Sequence, residues 1–140
     1  MQLLLYAILI FLVSAVGGIF MAYRILNGQL APWLVSLVHL LLGATGLVLV
    51  LLAVMAGEGG VIGLITFGIL LVTALGGFLL AAIHLRKKVA PSGLVILHAT
   101  LGVTGVLLLL GIVFLFSTIT QFTKPGEGYG ALQLALSMFA

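Results

Sequence analysis

Apolar positions in this chain fall into long blocks and do not alternate with polar ones. Four mostly apolar stretches cover roughly residues 2–23, 33–56, 60–84 and 92–117, and the polar and helix-breaking residues gather between them. A helix needs about 20 apolar residues to cross the hydrocarbon core of a bilayer, and each block is long enough. The pattern therefore predicts an all-α membrane protein, a four-transmembrane-helix up-down bundle with short loops. Composition agrees, with 64% of residues hydrophobic and 5% charged, against about a quarter charged in a soluble domain. Residues 1–140 then form a single transmembrane domain with no room for a separate catalytic module. The first block lacks a basic leading segment and is too long for the apolar core of a signal peptide, which predicts a retained first helix. After the fourth, Thr123 to Gly128 breaks the helix and the apolar remainder is too short to span. Residues 123–140 are expected to form an interfacial tail.

An internal repeat organises the blocks. A shift of 59 residues brings Gly17-Gly18 onto Gly76-Gly77, Ala31-Pro32 onto Ala90-Pro91, His39 onto His98, and Gly43, Thr45 and Gly46 onto Gly102, Thr104 and Gly105, without a gap. Each unit holds two spans, about 1–56 and about 60–117. An even number of spans makes the two copies parallel, same-orientation helical-hairpin repeats. Helices 2 and 4 are then expected to be diagonal partners, each started by its proline, with Thr45 and Thr104 bonding back to their own helix carbonyls.

Charge decides topology. Arg24 lies in the first connector and Arg86, Lys87 and Lys88 in the third, while the opposite side carries only Lys124. The positive-inside rule places the loops 24–31 and 85–91 in the cytoplasm and both termini outside, in a multi-pass protein of the cell (inner) membrane. Cations beside a span read as topology and lipid contact, so no nucleic acid partner is expected.

The chemistry open to the chain is narrow. Cysteine is absent, which excludes disulfides, thiolate metal sites and covalently attached haem. Both carboxylates, Glu58 and Glu127, fall outside the spans, which weighs against a proton-coupled transporter. No nucleophile, phosphate-cradle or zinc-protease motif is present, and no catalytic residue is assigned. Histidine remains. His39 and His98 each follow a helix-starting proline by seven residues, roughly 10 Å into the helix, so they share one depth. Each heads a stripe at helical spacing, His39-Gly43-Gly46 and His98-Gly102-Gly105, and Gly17 and Gly76 reach the same level from helices 1 and 3. Small residues also let membrane helices pack, and the histidines could simply hydrogen-bond across the bundle. Two histidines at matched depth among glycines point further, to a flat tetrapyrrole with an axial ligand on either face.

This pattern resembles the small four-helix membrane b-type cytochromes with bis-histidine ligation; the likeness covers the four-span plan and the two histidine stripes, without a diagnostic motif. The resemblance implies one haem b per chain, an iron site at His39 and His98, and electron transfer with a quinone or other redox partner. The chain would be an electron carrier or a small subunit of a respiratory complex more than a stand-alone enzyme. Gly17, Gly43, Gly46, Gly76, Gly102 and Gly105 would pack against the cofactor. Arg24, Arg86 and Lys87 would meet its propionates. His84, near the same end of helix 3, breaks the repeat and could pair with a propionate, replace a ligand or face the headgroups. The alternatives are a cofactor-free accessory subunit, alone or in a homo-oligomer or larger membrane complex, a pigment-binding subunit, and a small transporter.

Overall fold

The computed structural model describes residues 1–122, with side chains to residue 120; the expected tail at 123–140 lies outside the described residues. Four helices follow in order: α1 (Gln2–Leu26), α2 (Trp33–Met55), α3 (Gly60–Leu85) and α4 (Ser92–Phe122). Each is long and apolar enough to cross a membrane, and among the described residues there is no strand. The protein is thus a multi-pass membrane bundle. α1 packs on α2, α3 on α4, α2 on α3 and α1 on α4, whereas the backbones of α1 and α3, and of α2 and α4, do not approach one another closely. The bundle is therefore an up-down square, with α2 and α4 diagonal. Packing within each hairpin is more extensive than packing between hairpins.

The repeat persists where residue identity does not. Leu4, Ala7 and Ser14 are buried on α1, and the positions 59 further on, Gly63, Thr66 and Thr73, are buried on α3. Both sets recur at the three- and four-residue spacing of one helical face. The connectors match as well: Gly28 has φ 72° and its counterpart Lys87 has φ 54°. Lysine thus adopts the left-handed turn that glycine takes freely, at a cost of about 1 kcal/mol. Proline sits one residue earlier than expected, at Pro32 and Pro91, and each offers its carbonyl to the first helical N–H groups, Ser36 and Val95. The Gly57 to Gly60 turn needs φ of 80°, 78° and 54° at Gly57, Gly59 and Gly60, which explains its glycines.

The fourth helix runs about five residues beyond its apolar block. Its polar residues do not stop it, because Ser117, Thr118 and Thr120 donate their hydroxyls to Phe114 and Phe116 carbonyls of the same helix.

The apolar core fills only one half of the bundle. Leu4, Ala7, Ile8, Val50, Ala53, Leu70, Leu109 and Ile112 form it, at the end that holds the α2–α3 turn. The N-terminal ammonium of Met1 closes this end with an ion pair to Glu58, 2.5 Å away. Toward the opposite, basic end, beyond the level of Ser14, Gly46, Thr73 and Gly105, Val95 is the one buried residue in the described helices. Histidine lies in this loosely filled half.

Candidate functional site

His39 and His98 are brought together across the diagonal of the bundle. Their ring centroids are 6.2 Å apart and their planes are inclined by 67°. Each ring leans on the other helix of its own hairpin. Nδ1 of His39 is 2.9 Å from the Ser14 carbonyl oxygen, and Nδ1 of His98 is 2.9 Å from the Thr73 carbonyl oxygen. A carbonyl can only accept, so each Nδ1 carries a proton, and in the neutral imidazole Nε2 then carries the lone pair. Neither Nε2 has a hydrogen-bond partner among the described residues. Metal-binding histidines are commonly held in this way, one nitrogen donating to a carbonyl and the other free to ligate.

Glycine makes the arrangement possible. A Cβ at Gly18 would stand 3.0 Å from Cε1 of His39, and one at Gly77 would stand 3.1 Å from Cε1 of His98. Only a bare helix surface lets the imidazole lie low enough to reach a carbonyl one turn away. Gly17 and Gly76 border the same rings, near His39 Cβ and His98 Nδ1. Gly46 and Gly105 serve packing, receiving Phe11 and Leu70, which stand at corresponding positions of the two repeats. Gly102 faces the Thr73 methyl and Gly43 faces open space. Thr45 and Thr104 bond back to Leu41 and Thr100.

The polar groups toward the basic end are distributed unevenly. Arg24 is half-buried and reaches the Leu30 carbonyl at 3.4 Å, while its Nε is buried without an acceptor. Arg86, Lys87 and Lys88 stand exposed. His84 stacks on Trp33, with centroids 5.5 Å apart and an interplanar angle of 8°, so it closes the α2–α3 seam. It is not turned freely to solvent.

Ser14, Thr73, Gly18 and Gly77 are the positions that reading the chain alone does not assign to the site. Ser14 and Thr73 act through backbone carbonyl oxygens, which leave no mark on residue type, and Ser14 adds its hydroxyl 3.0 Å from Nδ1 of His39. The doubled glycines were a usable signal, since their second member falls four residues after a hydroxyl residue in both repeats.

The chemistry of the donors narrows the ligand. Among the described residues no group of three His, Cys, Asp or Glu side chains could hold a bare ion. Two facing imidazoles suffice only where the ligand brings its own equatorial donors, as a tetrapyrrole does. Two imidazoles bound to opposite faces of one metal ion, each through a bond of about 2 Å, have ring centroids about 6 Å apart. The observed 6.2 Å matches that span and equally lies within the range of an edge-on ring contact. The buried, unsatisfied Nε of Arg24 fits a carboxylate at the basic end.

No family model, no curated protein and no solved structure matches this chain. The class that fold and site define is a four-helix membrane bundle with a paired-histidine centre; the function must be read from that centre.

Proposed function

We propose that the protein binds one haem b between the two hairpins, with His39 and His98 as axial ligands, and passes electrons within the cell membrane in the manner of the small b-type cytochromes. The observation that carries this reading is the 6.2 Å separation of two imidazoles whose Nδ1 atoms are anchored and whose Nε2 atoms are free. Haem, when bound, supplies a one-electron couple that none of the chain's own side chains can provide. The residues do the rest. Ser14 and Thr73 fix the imidazole tautomers, the turn-end core holds the hairpins in register, and the apolar walls keep water from the iron. Arg24 neutralises a propionate, with the exposed Arg86 and Lys87 adding charge at the same end. That end faces the cytoplasm, as the basic connectors favour. A quinone or a larger respiratory complex is the natural partner, since one haem needs a donor and an acceptor.

Cofactor-free packing is the second reading, favoured by the edge-on contact of the two rings, which packing alone can also produce. Purification of the full chain from haem-replete cells separates them. The proposal expects a reduced-minus-oxidised b-type spectrum whose low-spin bands vanish in His39→Ala and in His98→Ala; a folded, colourless protein favours packing.

A further inference from the structure

The end of the bundle that carries the α2–α3 turn holds a groove of about 640 Å³, remote from the histidine centre. Its head is the turn Gly57 to Gly60, which includes Glu58, and it runs along α4 between Ile119 and Leu107. That stretch covers about 18 Å of helix, close to the hydrocarbon thickness of one leaflet, about 15 Å. Leu107, Leu115 and Ile119 on its rim are half or more exposed, so the groove opens on the lipid side of the bundle.

Two features of this groove have no explanation among the described residues. The first is its carboxylate. Oε1 of Glu58 pairs with the Met1 ammonium, but Oε2 is buried without a donor, in a side chain only 18% exposed. A buried anionic oxygen without a donor is costly. The turn between two spans sets it where headgroups meet hydrocarbon. The second is Gly111, whose backbone is ordinary α-helix. Glycine is unfavourable inside a helix, and a Cβ at Gly111 would meet nothing within 4 Å. The first repeat has Leu52 at the corresponding position. Neither backbone geometry nor packing within the bundle requires glycine there, whereas a chain lying along α4 does, because it needs the helix surface bare.

These features select the occupant. It must be apolar over the length of a leaflet, and it must bring a hydrogen-bond donor, best a cationic one, to the headgroup level. A choline headgroup carries the cation without an N–H, and a glycerol headgroup carries donors on a lipid of net negative charge. An ethanolamine headgroup offers an ammonium with N–H donors, as a lysine side chain does. We propose that the groove binds one phospholipid of the ethanolamine type, its ammonium donating to Oε2 of Glu58 and one acyl chain lying over Gly111. Haem takes no part in this site, which stands or falls apart from the histidine centre.

Phosphatidylethanolamine and phosphatidylcholine with the same acyl chains are the probes, supplied in equal amounts in mild detergent to the purified full-length protein. The lipid retained after washing is extracted and quantified. Wild type is expected to keep about tenfold more phosphatidylethanolamine than phosphatidylcholine, the ratio that one hydrogen bond to a charged group supports. In Glu58→Gln the ratio should fall to about twofold or less. Gly111→Leu fills the groove and leaves the carboxylate in place, so it serves if loss of the Met1–Glu58 pair prevents assembly; retained phosphatidylethanolamine should drop by about half or more. Equal retention of the two lipids by wild type, an unchanged ratio in Glu58→Gln, or undiminished retention in Gly111→Leu overturns the proposal. A wild type that keeps neither lipid also overturns it and leaves the groove to another occupant, such as residues 123–140 or a second copy of the chain.

Discussion

The imidazoles of His39 and His98, carried on helices whose backbones do not approach one another closely, stand with their centroids 6.2 Å apart. Everything local to them serves that spacing. Two carbonyls one hairpin partner away hold the rings, and two glycines let them in.

Gly18 and Gly77 are the most sensitive positions outside the histidines. Gly18→Val or Gly77→Val pushes the imidazole off its carbonyl, because even a Cβ there meets Cε1 at about 3 Å. Loss of an orienting partner typically costs a metal-binding histidine 10- to 100-fold in affinity, so at least about a tenfold drop in haem affinity is expected. Haem titration of the purified variants measures it. Gly68→Ala is the control: it adds a methyl group to open space and leaves haem binding unchanged.

Gly46 and Gly105 are expected to respond in stability. Gly46→Ala drives a Cβ into the Phe11 ring, and Gly105→Ala drives one into Leu70. Overpacking of this kind costs about 1–3 kcal/mol. Thermal unfolding in detergent, followed by circular dichroism, should show the loss. The double variant Gly46→Ala with Phe11→Leu should recover part of it, and an equal loss in the double variant would mean that the two residues are not coupled.

Among the described residues, Arg24 is the cation whose side chain carries a buried nitrogen, Nε, without an acceptor. If haem is bound as proposed, Arg24→Gln removes a positive charge that would favour its reduced form, so the midpoint potential is expected to fall. A shift of about 30 mV, roughly threefold in the oxidised-to-reduced ratio, is expected. The exposed Arg86→Gln should shift it less, because solvent and salt screen it. Redox titration of the three proteins checks both the sign and the order.

The chain has no cysteine, which makes topology simple to test. A cysteine placed at Gln29 should react with a membrane-impermeant maleimide only in inverted vesicles, and one at Gly57 only in intact cells. The reverse pattern would contradict a cytoplasmic basic end.

Much of the fold is legible in the sequence itself. The apolar blocks mark the helices to within a few residues, and the repeat puts His39 and His98 at one depth, where the structure has them. What the chain withholds is rotation about each helix axis. Depth follows from counting at a fixed rise per residue, but whether Gly46 meets a cofactor or Phe11 depends on a few tens of degrees of helix rotation, set by the sum of many weak contacts. The Trp33–His84 stack joins the two hairpins and has no counterpart in the repeat, so symmetry could not reveal it. The C-terminal extent of α4 is less legible, because Ser117, Thr118 and Thr120 end the apolar block while their hydroxyls bond within the helix.

The most direct measurement is the visible spectrum of the full-length protein purified from haem-replete cells, with His39→Ala and His98→Ala beside it. The account predicts sharp reduced low-spin bands with one haem per chain, absent from both variants although each still folds as a helical bundle. A well-folded wild type without these bands, or bands that survive either substitution, would contradict it.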